Sequence, residues 1–165
     1  MFYKFFVQTI NNRLLKRIIR KTSKVFFGKD IISDSFDNIQ LVKKYTPNKS
    51  FADIGALWGT HGLHTFAAEE SGATRSVAVD VYPVTREFLE EKEKRNLKAE
   101  FIQGDINSGE TIKKIGRCDV VLCSGVLYHT PDPIHMLMRL RTITKETLIL
   151  NTASIPDIPG MKNVA

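Results

Sequence analysis

The sequence is short of cysteine, and this limits both disulfide bonding and metal binding. Its two cysteines, Cys118 and Cys123, stand in one apolar run. In an extended strand they would be roughly 17 Å apart, which is too far for a disulfide. No Cys/His spacing typical of a metal site occurs, so no metal is expected. This usage fits a reduced, cytoplasmic setting best.

Long hydrophobic runs are missing as well. No apolar run approaches the length of a membrane span. The apolar start is interrupted by Gln8, Asn11 and Asn12 before a signal peptide could be completed. The sequence also has no internal repeats and no low-complexity segments. Its 165 residues, 42% hydrophobic and 25% charged, are typical of one soluble globular domain with a real core.

Charge is present but unevenly distributed. Of the formal net charge of +6, residues 1–30 hold eight lysines and arginines against one acid, which leaves the remainder at about −1. Residues 7–24 have the apolar spacing of an amphipathic helix, and residues 33–46 that of a second one. The predicted division is a basic helical leader at 1–48 and a domain at 49–165. The basic face could pack on its own domain, bind the RNA backbone or bind an anionic membrane surface.

Strand and helix patterns alternate after residue 50. The predicted strands are 50–54, 76–81, 100–103, 119–123 and 147–151. The predicted helices between them are 60–70, 84–96, 110–115 and 133–142. Pro83 suits a first helical turn. The continuously apolar strands indicate a sheet covered on both faces, so we expect an α/β fold with a doubly wound, mostly parallel sheet.

The stretch 50–62 is a strand, a glycine turn and a helix start. Asp53 stands just before the turn glycines Gly55 and Gly59. Such a turn lets the backbone approach a ligand closely. A carboxylate there would repel a phosphate, so the turn favours a ligand that carries positive charge or several donors.

Three further strand ends carry polar residues. Asp80 lies about twenty residues past the turn, where dinucleotide-binding folds have the carboxylate that accepts from the ribose hydroxyls. Asp105 follows Gly104, and the fourth strand leads to Ser124 and His129. Each carboxylate alone could simply cap a helix. Because ligands bind at the carboxyl ends of parallel strands, their conjunction indicates one nucleoside-binding crevice.

In this order, the strand ends resemble the S-adenosylmethionine-dependent methyltransferases with a Rossmann-like domain, over residues 50–154. The segment Asp-Ile-Gly-Ala-Leu-Trp-Gly at 53–59 is similar to the family's Asp-x-Gly-x-Gly-x-Gly loop, with Leu57 in place of the middle glycine. The string Gly-Val-Leu-Tyr-His at 125–129, followed by a Pro-Asp-Pro turn, most resembles the tRNA wobble-uridine carboxymethyl-transferring enzymes. The resemblance implies S-adenosylmethionine as cofactor. It also implies transfer of a methyl or related one-carbon group to an O or N acceptor, in RNA or a small molecule.

The resemblance also implies residue roles. The loop after the first strand would surround the methionine moiety, and Asp80 would accept hydrogen bonds from both ribose hydroxyls. Asp105 would receive the adenine amino group, while Ile106 covers the ring. The predicted cofactor-binding residues are Asp53, Gly55, Ala56, Gly59, Asp80, Val81, Asp105, Ile106, Ser124 and Gly125.

His129 and Tyr128 are the catalytic candidates. His129 has two interpretations: a general base, since histidine side chains titrate near neutral pH, or a hydrogen-bonding residue just past the fourth strand. Tyr128 beside it is an acid or, more commonly, a packing residue at the cofactor's edge. A base is optional, because the sulfonium already makes the methyl group electrophilic.

Two other functions stay open at this point. One is a nucleotide-dependent oxidoreductase on the same kind of sheet, although Asp53 and the Gly104–Asp105 pair argue against it. The other is a non-catalytic S-adenosylmethionine-binding module. The family's domain normally adds two strands after the fifth, and this sequence ends before supplying them. We therefore expect a C-terminally incomplete fragment with weak or no turnover.

Overall fold

The computed structural model describes residues 37–153, and its helices and strands belong to one compact unit that begins at Asn38. The strands are β1 (Ser50–Ile54), β2 (Arg75–Asp80), β3 (Glu100–Gln103), β4 (Cys118–Ser124) and β5 (Thr144–Asn151). The helices are α1 (Asn38–Tyr45), α2 (Leu63–Glu70), α3 (Arg86–Lys94), α4 (Gly109–Ile115) and α5 (Pro133–Ile143). A short 3-10 helix, Leu127–His129, lies between β4 and α5.

The five strands form one sheet in the order β3-β2-β1-β4-β5, and every neighbouring pair is parallel. The predicted doubly wound α/β fold is therefore confirmed. The strand order reverses between β1 and β4, which are direct neighbours in the sheet. In such sheets a crevice opens outside the carboxyl ends of the strands at this point.

The sheet is buried on both faces, as its apolar strands predict. Val120 and Leu122 of β4 pack in one cluster with Val42 of α1 and Ala68 of α2. Val121 and Cys123 point the other way, into a cluster that includes Ile115, Leu140 and Ile143 from α4 and α5. Alternate residues of one strand thus serve two separate layers of helices.

At the amino edge of the sheet, the polar contacts fasten strands to one another. The Asp119 carboxylate accepts hydrogen bonds from the Ser50 hydroxyl at 2.6 Å and the Ser50 amide at 2.8 Å. These bonds, with Lys145 nearby, hold the pKa of Asp119 down at about 2. The charge of Asp119 therefore serves the pairing of β1 with β4.

Two predicted helices were too long at their starts. The helix predicted from residue 60 begins at Leu63, because Gly62 has a φ of 83° and the segment before it is a turn. The helix predicted from residue 84 begins at Arg86, where the Thr85 hydroxyl accepts a hydrogen bond from the Phe88 amide. Placing Pro83 in its first turn was therefore wrong.

The helix predicted at 7–24 lies outside the described residues. Of the helix predicted at 33–46, the described residues form α1, which begins at Asn38 and ends at Tyr45, with Val42 fully buried. The division into a leader at 1–48 and a domain at 49–165 stays a prediction.

Both cysteines are free and buried, and burial raises the pKa of the Cys123 thiol to about 12. Among the helices described, none has the length and apolarity that crossing a membrane requires.

Candidate functional site

The loop after β1 turns at Gly55, which has a φ of 81°. The amides of Gly55 and Ala56 both donate to the carbonyl of Val79, at 2.8 and 3.2 Å, so the loop is held against β2. A Cβ atom at Gly55 would overlap the Val126 side chain, which follows β4. Glycine is needed here for its backbone conformation and because the loops after β1 and β4 meet at this point.

Asp80, the last residue of β2, joins three loops. One oxygen of its carboxylate accepts from the Leu57 amide at 2.9 Å, in the loop after β1. The other accepts from the Tyr82 amide at 3.0 Å, in the loop after β2. Its backbone carbonyl accepts from the Gly104 amide at 2.8 Å, at the end of β3. A single residue therefore fixes three neighbouring strand ends relative to one another.

Asp53 is buried beneath the glycine turn, with 1% of its surface exposed. Its carboxylate accepts a hydrogen bond from the Thr65 hydroxyl at 3.0 Å and lies 3.9 Å from Nδ1 of His64, both on α2. Burial raises the pKa of Asp53, and nearby Asp80 adds to this, while His64 and Thr65 oppose it. The side chain thus lies between the sheet and α2, with its carboxyl group under the loop.

The segment after β3 separates a polar residue from an apolar one. Asp105 is exposed, and its carboxylate accepts from the amide of Asn107 at 2.8 Å and from its side chain at 3.1 Å. Ile106 is 5% exposed and packs into the core cluster of α4 and α5. The Asp105 carboxylate is therefore presented outward at the carboxyl edge, while Ile106 anchors the turn.

The segment after β4 is fastened to α1 and β5. The Ser124 hydroxyl accepts from the Asn38 side chain at 2.9 Å, and Asn38 in turn accepts from the Asn151 side chain at 3.2 Å. The Gly125 amide donates to the carbonyl of Asn151 at 2.9 Å, with a φ of 75° at Gly125. The first residue of the compact unit therefore lies at the carboxyl edge of β4 and β5.

Both catalytic candidates are exposed in the 3-10 helix. The rings of Tyr128 and His129 have centroids 4.3 Å apart, and the His129 amide donates to the carbonyl of Val126 at 2.9 Å. The helix follows directly from the segment that contacts Gly55. The two side chains are therefore presented to solvent close to the switch point of the sheet.

Hydrogen bonds thus hold the loop of Gly55 and Ala56 to the end of β2, where Asp80 lies, and Gly55 meets the loop of Gly125 through Val126. Gly59 lies in the loop after β1 and Val81 in the loop after β2, and both are exposed. Sequence reasoning missed Asn38 and Thr65, which have no motif around them. It also missed the amides of Leu57 and Tyr82, because every residue type except proline offers the same backbone donor.

Comparison with known proteins identifies the family. Residues 32–152, most of the chain, match the FtsJ-like methyltransferase family. The chain belongs to this family. Its predicted resemblance to S-adenosylmethionine-dependent methyltransferases is therefore confirmed.

Individual relatives agree with this membership. The chain is 29% identical over 143 residues to the tRNA U34 carboxymethyltransferase of Campylobacter lari, a match that covers 83% of the chain and 47% of that protein. The FtsJ-like chain thus spans about half the length of this curated relative. The match bears out the predicted resemblance to the tRNA wobble-uridine carboxymethyl-transferring enzymes. The N-terminal domain of EvdMO1, solved with SAH bound, has a TM-score of 0.55 at 20% identity, covering 86% of the chain and 65% of that structure. An O-methyltransferase family protein from Burkholderia thailandensis has a TM-score of 0.53 at 13% identity, covering 79% and 37%. These two likenesses show the fold.

The residues at this edge suit a cationic nucleoside better than a pyrophosphate. The stretch 53–62 contains an aspartate and no lysine or arginine. Each Asp80 carboxylate oxygen accepts one hydrogen bond from a backbone amide and has capacity for a further donor. A Cβ at Gly59 would meet no atom within 4 Å, so the loop is open on that side. Within residues 37–153, no group of three or more His, Cys, Asp or Glu side chains could hold a metal ion.

Proposed function

We propose that the chain is an S-adenosylmethionine-dependent methyltransferase that transfers a methyl or related one-carbon group to an O or N acceptor, with RNA as the acceptor class. The observation that carries the proposal is the set of three hydrogen bonds by which Asp80 joins the loops after β1, β2 and β3. These bonds assemble a carboxylate, a glycine turn and the Gly104–Ile106 segment at the switch point of a family-typical sheet.

In the proposal, each residue at this edge has a binding role. Asp80 accepts hydrogen bonds from the ribose hydroxyls, and Asp105 accepts from the adenine amino group. Gly55, Ala56 and Gly59 line the methionine moiety, with Val81 and Ile106 at the adenine ring and Ser124 and Gly125 on the transfer side. The buried charge of Asp53 favours a cationic ligand above the loop without touching it.

Catalysis then depends mainly on position. The bound cofactor supplies a methyl group made electrophilic by its sulfonium. The protein's own contribution is to hold the acceptor in line and to exclude water. An imidazole nitrogen of His129 takes the proton from the acceptor O–H or N–H, since the ring is exposed next to the segment that contacts Gly55. Tyr128 orients the His129 ring through their contact.

RNA is favoured as the acceptor by two observations. The Campylobacter lari relative is named for action on tRNA. In the sequence, residues 1–30 hold eight basic side chains against one acid. Basic segments bind RNA phosphates without regard to sequence.

A cytoplasmic location is part of the proposal and is supported by the two free, buried cysteines.

A comparison of two ligands tests the cofactor. S-adenosylhomocysteine (SAH) should raise the midpoint of thermal unfolding, with about 2.7 kcal/mol of stabilisation at a hundredfold excess over its Kd. NADH at the same concentration should produce no shift, because the Asp53 carboxylate beneath the turn would repel a pyrophosphate. A shift with NADH alone would favour the oxidoreductase alternative.

The acceptor is tested by labelling. The full-length protein is incubated with methyl-labelled S-adenosylmethionine and separated cell fractions of RNA, protein, lipid and small molecules. The RNA fraction should become labelled. Labelling of another fraction would reject RNA as the acceptor, and SAH binding without any labelling would favour the non-catalytic module.

A further inference from the structure

Two large aromatic side chains face solvent at the carboxyl edge of the sheet. Trp58 is 80% exposed and Tyr82 is 56% exposed. Trp58 lies in the loop after β1, and Tyr82 lies two residues beyond the end of β2. Because aromatic rings gain much from burial, exposed rings beside a candidate site indicate a surface that a ligand covers.

The backbone that carries the two rings is fixed by one carboxylate. The Asp80 carboxylate accepts hydrogen bonds from the amide of Leu57, the residue before Trp58, and from the amide of Tyr82. Both backbone segments are therefore held by the same side chain. The Thr60 hydroxyl donates to the carbonyl of Ala56 at 2.7 Å, which closes the loop around Trp58. Rings on a backbone that is already ordered cost less conformational entropy when a ligand binds.

The two rings form one aromatic surface. Their centroids are 6.5 Å apart and their planes are inclined by 31°, within the usual range for an aromatic pair. Trp58 is followed by Gly59 and Thr60, and Val81 is the exposed aliphatic neighbour of Tyr82, so the aliphatic surface beside the rings is small compared with the core of a protein interface. The ligand chemistry that fits is a flat π-system.

We infer that the Trp58–Tyr82 pair is a stacking platform for an unstacked base of a single-stranded RNA acceptor. The inference rests on the proposed function, since it assigns part of the same carboxyl edge to the acceptor. Proteins recognise unpaired bases by stacking them on aromatic side chains, and this works for any sequence because every base has a π-face. A base held here lies beside the loops that Asp80 joins, where the cofactor is proposed to bind.

The sequence provides a direct probe. Trp58 is the only tryptophan, so the tryptophan fluorescence of the full chain reports on this position alone. The full chain is titrated with a short unstructured single-stranded RNA and, in parallel, with an abasic strand of the same length and charge. We expect saturable quenching by the RNA and little quenching by the abasic strand.

Variants supply the second measurement, by fluorescence anisotropy of the labelled RNA. Trp58→Leu and Tyr82→Leu should each weaken RNA affinity roughly tenfold, and Tyr82→Phe should retain it. Met138→Ala, which removes another exposed apolar side chain on α5, should leave RNA affinity unchanged. Thermal unfolding of each variant confirms that it is folded.

Several results would overturn the inference. Equal quenching by both strands would do so, as would unchanged RNA affinity in both leucine variants. Quenching by SAH alone, with weaker SAH binding in the leucine variants, would assign the rings to the cofactor instead. SAH binding is measured separately by calorimetry. If the wild-type chain does not bind SAH, the proposed function is rejected and the platform with it. If the chain binds SAH but gives one of the contrary results named above, only the platform is rejected.

Discussion

At the scale of single residues, Asp53 is a buried acid whose ionised form costs stability. We expect Asp53→Asn to raise the free energy of unfolding at neutral pH by about 1 kcal/mol, because it removes a buried charge while its amide oxygen can still accept from Thr65. Burial raises the pKa of Asp53 in the folded state. The loss of stability that its charge causes in the wild type is therefore complete above the folded-state pKa, and it disappears as pH falls toward the ordinary value of 3.8.

Urea denaturation at several pH values measures this difference. The advantage of Asp53→Asn over wild type should be largest at neutral pH and should shrink on acidification. An advantage that stays constant across the range, or a loss of stability at neutral pH, would show that the Asp53 charge is not destabilising. SAH affinity in the same variant measures separately how much the charge contributes to cofactor binding.

Gly55 tests the close approach of the loops after β1 and β4. Gly55→Ala should cost about 2 to 4 kcal/mol, because it combines left-handed backbone strain with overlap against Val126. Gly72→Ala is the matched control: its φ is 89°, but a Cβ there meets no atom within 4 Å, so strain alone should cost about 1 kcal/mol. Equal losses in chemical denaturation would mean that the contact with Val126 is unimportant.

At the scale of elements, α1 is fastened at its first residue to the ends of β4 and β5. Asn38→Ala removes a donor to Ser124 and an acceptor for Asn151, so we expect a loss of about 1 to 2 kcal/mol in the free energy of unfolding. Gln40→Ala, on an exposed position of the same helix, should be nearly neutral. A similar loss in both variants would attribute the effect to the helix in general.

The elements themselves were largely predictable, because their signals are local. Continuous apolar runs set the strands, and Pro133 marks the start of α5. The start of α2 was not predictable, because the turn before it, which ends at Gly62, contains Thr60 and His61, and these residues also fit a helical pattern. No local signal reveals that Asp53 faces α2, that Trp58 is exposed or that Asn38 reaches Ser124. These facts depend on contacts between segments far apart in the sequence.

At the scale of the whole molecule, the positive charge is concentrated near the N-terminus. Deleting residues 1–24 removes seven lysines and arginines. If they contact RNA phosphates, the slope of log affinity against log salt concentration should fall by up to about 5. Retention on immobilised RNA across a salt series measures this. Unchanged retention would favour packing of the basic segment on its own domain, and loss confined to anionic vesicles would favour a membrane surface.

Asp80 is proposed both to assemble the carboxyl edge of the sheet and to bind the cofactor there. Calorimetric titration with SAH of wild type and Asp80→Asn tests it most directly, with thermal unfolding to verify that the variant is folded. Wild type should bind SAH saturably, and the affinity of the variant should be at least about tenfold weaker. No binding to wild type, or equal affinity in a folded Asp80→Asn protein, would contradict it.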